Sequence, residues 1–148
     1  MVTNRDSVRQ MLQSVLTRLE NQKSIQYPPR LRQIIVDEVY NLCGPAIMTE
    51  QDLRDKTHAK LGAKTEELAD SAFTESDKYK AAKSVVRSTF GDDELNGFYF
   101  QRPIKNIAQV LREYLLRSSH IDDVYESDED LEKQIVEFIK KFRPDQVH

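Results

Sequence analysis

The chain has 148 residues, a length at which one domain buries a real core without metals or disulfides. Hydrophobic residues make up 39% and charged residues 32%, which implies a compact core under a heavily charged exterior. The formal net charge of −3 lacks the positive excess typical of nucleic-acid binders, and no stretch approaches the roughly 18 apolar residues of a membrane span.

The charge is uneven. Residues 1–35 carry Arg5, Arg9, Arg18, Lys23, Arg30 and Arg32 against Asp6 and Glu20, whereas residues 120–148 carry nine acids against four bases. Such polarity can orient a partner or favour head-to-tail self-association. Cys43 is the only cysteine, so no internal disulfide forms, which suits a reducing compartment. It lies near the end of an apolar helix and reads as a buried thiol rather than a nucleophile. The opening Met1–Asp6 lacks an apolar run, so no secretory signal is expected, and the location expected is cytoplasmic.

The dominant period is helical. Val8, Leu12, Val15 and Leu19 fall on one face, with Met11 and Leu16 widening the stripe. A helix from about 4 to 22 follows, with Thr3 and Asp6 as its capping box. Pro28 and Pro29 fit the first turn of a second helix, where a missing amide hydrogen costs nothing. Its apolar face is Leu31, Ile34, Ile35, Val39 and Leu42. Gly44 in a left-handed cap and Pro45 then stop it. Thr49 and Asp52 form another capping box, opening a helix through Leu53 and Leu61 that Gly62 closes.

Residues 64–73 read as a short helix with Leu68, Ala69 and Phe73 inward. Residues 75–90 read as a longer one, with Tyr79, Ala82, Val86 and Phe90 on one side and Gly91 at its end. Residues 91–102 read as a loop. Asn96-Gly97 is a strong turn signal, but no second strand stands nearby to complete a hairpin with Phe98-Tyr99-Phe100. Pro103 starts a helix with Ile104, Ile107, Ala108, Leu111 and Leu115 inward. Ser127 and Asp130 cap the last helix, lined by Leu131, Ile135, Phe138, Ile139 and Phe142 and ended by Pro144. The sum is an all-α, single-domain bundle of about six or seven helices spanning 1–148.

Two segments echo each other, 27–61 and 99–142. Each has an aromatic and a proline before a basic-flanked apolar helix, then a short connection and a helix with its own capping box. Leu31, Ile34, Ile35 and Leu42 match Ile104, Ile107, Ala108 and Leu115 at one fixed offset. The echo fits a duplicated helical hairpin, and it also fits two unrelated amphipathic hairpins.

Residues 104–139 join that apolar helix to the acidic connection Ile121-Asp122-Asp123-Val124 and a further helix. This arrangement resembles the DUF507 family of bacterial proteins, and the segment LRQIIVDEVYNL resembles the opening helix of such a unit. The resemblance implies a small helical, cytosolic bacterial protein. It implies no activity, cofactor or site residue, since the family is of unknown function.

Catalytic patterns are sparse. His58, His120 and His148 stand apart from one another and from Cys43, with no CxxC or HExxH spacing, so neither a metal nor a cofactor is expected. His58 reads as an exposed mid-helix side chain. The acids from Asp122 to Asp130 lack the glycine of a calcium loop and run into a helix start, where they oppose its positive dipole end. No glycine-rich phosphate loop is present.

Two features point to binding. Lys80, Lys83 and Arg87 share a helix face opposite Tyr79, Ala82 and Val86; with Arg30 and Arg32 they compose a candidate nucleic-acid surface, or an ordinary solvated face. Phe98, Tyr99 and Phe100, with Arg102 beside them, compose a candidate partner-binding loop. Successive side chains of an extended segment diverge, so at least one ring could face solvent; the other arrangement has the loop plugging the end of the bundle. The reading is a non-catalytic protein–protein interaction module, with self-association as one form of it. A nucleic-acid-associated protein is the alternative.

Overall fold

The first apolar stripe sets the frame. In the computed structural model, which describes residues 2–63, 80, 81, 84 and 93–144, Arg5–Asn21 form α1. Val8, Met11, Leu12, Val15, Leu16 and Leu19 of this helix are all buried. A stripe that wide needs cover on several sides. Helix α1 receives it from α2 (Arg32–Cys43), from α5 (Asp128–Lys141) and from the strands β1 (Ile25–Gln26) and β2 (Ile47–Thr49). Helix α4 (Ile104–Arg117) closes the core by packing on α2 and α5, while α3 (Glu50–Ala63) packs on β2. Five α-helices thus stand among the described residues. None is long and apolar enough to cross a membrane.

The protein is mostly helical, but it is not all-α. Strands β3 (Asp93–Leu95) and β4 (Phe98–Phe100) form the hairpin that the sequence did not reveal, and β2 adds to its other side in the order β2-β4-β3. All pairings are antiparallel, with Met48 and Glu94 both opposite Tyr99. Asp93 and Glu94 are poor strand formers, so this partner carries no β pattern of its own; the turn and the aromatic strand impose it. Asn96 and Gly97 take φ of 54° and 86°, the signs that a tight hairpin turn requires. A second ribbon pairs β1 with β5 (Asp123–Val124).

Capping also differs in detail. Helix α1 is capped by Asn4 and Ser7, one residue beyond the expected Thr3–Asp6 box. Thr3 is committed elsewhere: its hydroxyl donates to Gly97 O at 2.6 Å and accepts from Glu50 N at 2.9 Å, joining the hairpin turn to the start of α3. The Thr49–Asp52 and Ser127–Asp130 caps form as expected. Helix α3 runs through Gly62 instead of closing there. The expected helices over 64–73 and 75–90 lie outside the described residues, apart from helical Lys80, Ala81 and Ser84.

Gly44 is not a left-handed cap. Its φ and ψ of −58° and −40° lead from α2 into the 3-10 turn Gly44–Ala46. The glycine serves a close approach instead, because a Cβ would lie 3.1 Å from Arg5 Nη2. Arg5 reaches across to this corner. It donates to Tyr40 Oη at 2.9 Å, Gly44 O at 2.9 Å, Ile47 O at 2.7 Å and Asp52 Oδ2 at 3.0 Å. Burial works against its charge, yet the bonds to Tyr40 and Asp52 outweigh that and raise its pKa. One guanidinium thereby ties α1 to the end of α2, the edge of β2 and the cap of α3.

Two outcomes follow. Arg5→Ala should lower unfolding free energy in urea by about 2 to 3 kcal/mol, because Gly44 O and Ile47 O lose a charged donor. Arg5→Lys should recover less than half of that, since one ammonium cannot match the planar fork. Gly97→Ala should cost about 1 to 3 kcal/mol, from a strained positive φ and from a Cβ placed 2.8 Å from Thr3 Cγ2.

Candidate functional site

The residues singled out from the sequence separate in space. Phe98 and Phe100 point into the main core, where Phe98 meets the Phe142 ring at 6.1 Å. Tyr99 turns to the other side of its strand and packs with Leu53 and Met48. All three are buried, so none is a solvent-facing ring: the strand alternation that separates them finds cover on both faces. Arg102, two residues on, is exposed.

In the basic set, Arg30 and Lys80 are exposed. Arg32 is engaged, its Nη2 donating to Glu20 Oε2 at 2.7 Å and its Nε to Tyr27 Oη at 3.3 Å. Burial pushes the Glu20 carboxyl up, but the bonds from Tyr27 and Arg32 prevail and hold it below the usual carboxylate range. Lys83 and Arg87 lie outside the described residues. Cys43 is buried as expected, and burial pushes its thiol up to about 12. His58 is exposed, also as expected.

The site that sequence reasoning missed is a groove of about 870 Å3 between α2 and α4. Helix α2 supplies Glu38 and Leu42; α4 supplies Asn106, Gln109, Val110 and Tyr114. The turn after α4 closes one end with Ser118, Ser119 and His120. Leu42 is 53% exposed and Val110 38%, and Ile34, one turn before Glu38, is 44% exposed. Ile34 and Leu42 were expected on the buried face of α2. The core takes Ile35, Val36, Val39 and Cys43 instead, which leaves 34, 38 and 42 on the outward side.

The groove's acids are already partnered. Glu38 accepts from Tyr114 Oη at 2.5 Å through Oε2, and its Oε1 lies 3.3 Å from His120 Nε2. Burial, then the bond to Glu38, raises the Tyr114 phenol to about 12. Glu113 meets Arg112 at 3.0 Å and Arg117 at 3.1 Å. Arg112 also lies 3.9 Å from Glu132, so Arg112 and Arg117 are answered by Glu113 and Glu132, and the exposed Arg102 lines the groove beside them.

Ser118 Oγ accepts from the backbone N–H of His120 at 3.1 Å and also hydrogen-bonds the Tyr114 phenol. Among the described residues, no group of His, Cys, Asp or Glu is placed to hold a metal ion. No family model matches the chain, and searches of curated proteins and of solved structures found no match either.

Tyr114 provides a test of the groove's wall. Tyr114→Phe should cost about 1 kcal/mol at neutral pH. The folded-state pKa lies above the unfolded value, so this contribution is complete below about pH 10 and fades as pH rises toward about 12. Urea melts of both proteins across that range read the difference directly.

Proposed function

We propose that this chain is a non-catalytic protein-interaction module whose docking surface is the α2–α4 groove. The reading moves the partner site from the Phe98–Phe100 loop, which is core, to Leu42 and Val110 with the neighbouring Ile34. One observation carries it: two of the five exposed large hydrophobic side chains among the described residues, Leu42 and Val110, line this groove, and a third, Ile34, lies one turn before Glu38 on α2. Grouped aliphatic exposure beside a groove marks a contact surface, whereas scattered exposure needs no explanation.

The chemistry of the partner follows from the charges. Glu38 is occupied by Tyr114 and His120, and Glu113 by two arginines. The exposed guanidinium groups of Arg102 and Arg117 favour an acidic segment, and the aliphatic floor favours one large apolar anchor within it. Asn106 and Gln109 can pair with polar groups of that segment. The nucleic-acid alternative is weakened by the engagement of Arg32 with Glu20 and Tyr27.

Selection from a displayed library of random peptides tests the proposal. The sequences retained should be acidic with one large apolar residue, and Leu42→Asp should weaken them by about tenfold or more. Enrichment of basic peptides, or equal binding to Leu42→Asp, would sink the reading.

A further inference from the structure

We infer that one occupant of the groove is the acidic ridge around Tyr125 of a second copy of this chain, with two copies exchanging ridge and groove across a two-fold axis. The inference rests on the reading of the groove as a docking surface. Tyr125 is 60% exposed, the most of any large hydrophobic side chain among the described residues. It stands directly after β5 and is held at its polar end. Its hydroxyl lies 2.8 Å from Gln26 Oε1 and 3.2 Å from Asp123 Oδ2, and its backbone N–H donates to Ser24 O at 2.8 Å. A ring fixed by its hydroxyl, with its body in water, is a rigid anchor that loses little entropy on docking.

The ridge has the chemistry that the groove calls for. Asp122 and Asp123 are exposed and precede the ring across Val124, and Glu126 follows it. Opposite them would stand Arg102 and Arg117, with Leu42 and Val110 as the floor for the ring. Ridge and groove are also neighbours along the chain. Ser118 to His120 close the groove, and β5 begins at Asp123.

A copy cannot fill its own groove, because β5 is fixed to β1 in the register Ile25↔Val124 and Gln26↔Asp123. Two complementary patches on one chain are satisfied together when a second copy is turned over against the first, each ridge facing the other's groove.

Sedimentation velocity on the full chain, from about 1 to about 200 μM at low and high salt, tests this. A monomer–dimer equilibrium weakened by salt is expected. Tyr125→Ser and Leu42→Asp, each with an unchanged circular dichroism spectrum, should both be monomeric. Mixed in equal amounts they should associate more than either does alone and less than the wild type, because the mixed pair keeps one of the two ridge–groove contacts; a purely structural role for either residue gives no such rescue. A wild-type chain that stays monomeric, a dimer that survives either substitution, or assembly beyond the dimer overturns the inference. If the wild type is monomeric while Leu42→Asp still loses acidic peptides, the second copy is removed and the docking groove stands. If the dimer behaves as expected but peptide selection fails, the groove serves self-association alone.

Discussion

The guanidinium of Arg5 is the constraint on which the arrangement of the other elements depends. The carbonyls of Gly44 and Ile47 both accept from this side chain; Gly44 O also takes the N–H of Ile47, whereas Ile47 O is reached by Arg5. Asp52, which caps α3 through Thr49, accepts from the same group. Tyr40 supplies both an acceptor and a ring 5.3 Å from the Arg5 Cζ. A flexible corner where a helix becomes a strand and then another helix is thereby locked by one planar fork, whose several donors need no rearrangement between acceptors. The end of α2 is part of that corner, so the outward aspect of Glu38 and Leu42 follows from it.

Thr3 and the hairpin supply the second lock. Strand β4 sits in the middle of its sheet, between β2 and β3, and sends Phe98 and Phe100 to one side and Tyr99 to the other. Three consecutive aromatics can be buried together only where a strand is covered on both faces. The main core covers one face and α3 the other. The loop expected from 91–102 therefore carries some of the largest side chains of the core.

Legibility in the sequence followed the strength of local signals. Helices α1, α4 and α5 were readable, because a wide apolar stripe and flanking caps or prolines agree on the same boundaries. Strand β3 was not, because Asp93 and Glu94 have no strand preference and their pairing is dictated by Phe98–Phe100 and the Asn96-Gly97 turn. The groove left a fainter trace. Leu31, Ile34, Ile35, Val36, Val39, Leu42 and Cys43 are too many apolar positions for the one face that α2 turns inward, so some had to remain outside. Which ones depends on how α2 sits between α1 and α4, a tertiary fact that periodicity does not contain. The contact of His120 with Glu38 was equally hidden, since these residues lie far apart in the chain and meet only when the turn after α4 folds back over α2.

The internal pairing of the groove's charges bears on how it discriminates. Glu38 is held from within the protein by the Tyr114 hydroxyl and lies beside His120, and Glu113 is paired with two arginines. Each of those bonds holds a side chain in place before any partner arrives, which lowers the ordering cost of binding. What remains open to a partner, on the proposed reading, is the aliphatic exposure and the exposed guanidinium groups of Arg102 and Arg117, and these would act on different atoms of it. On the proposed reading, a segment meeting only one of them gains part of the contact, so selectivity would arise from the spacing between the aliphatic side chains of α2 and α4 and the arginines, and not from any single strong bond.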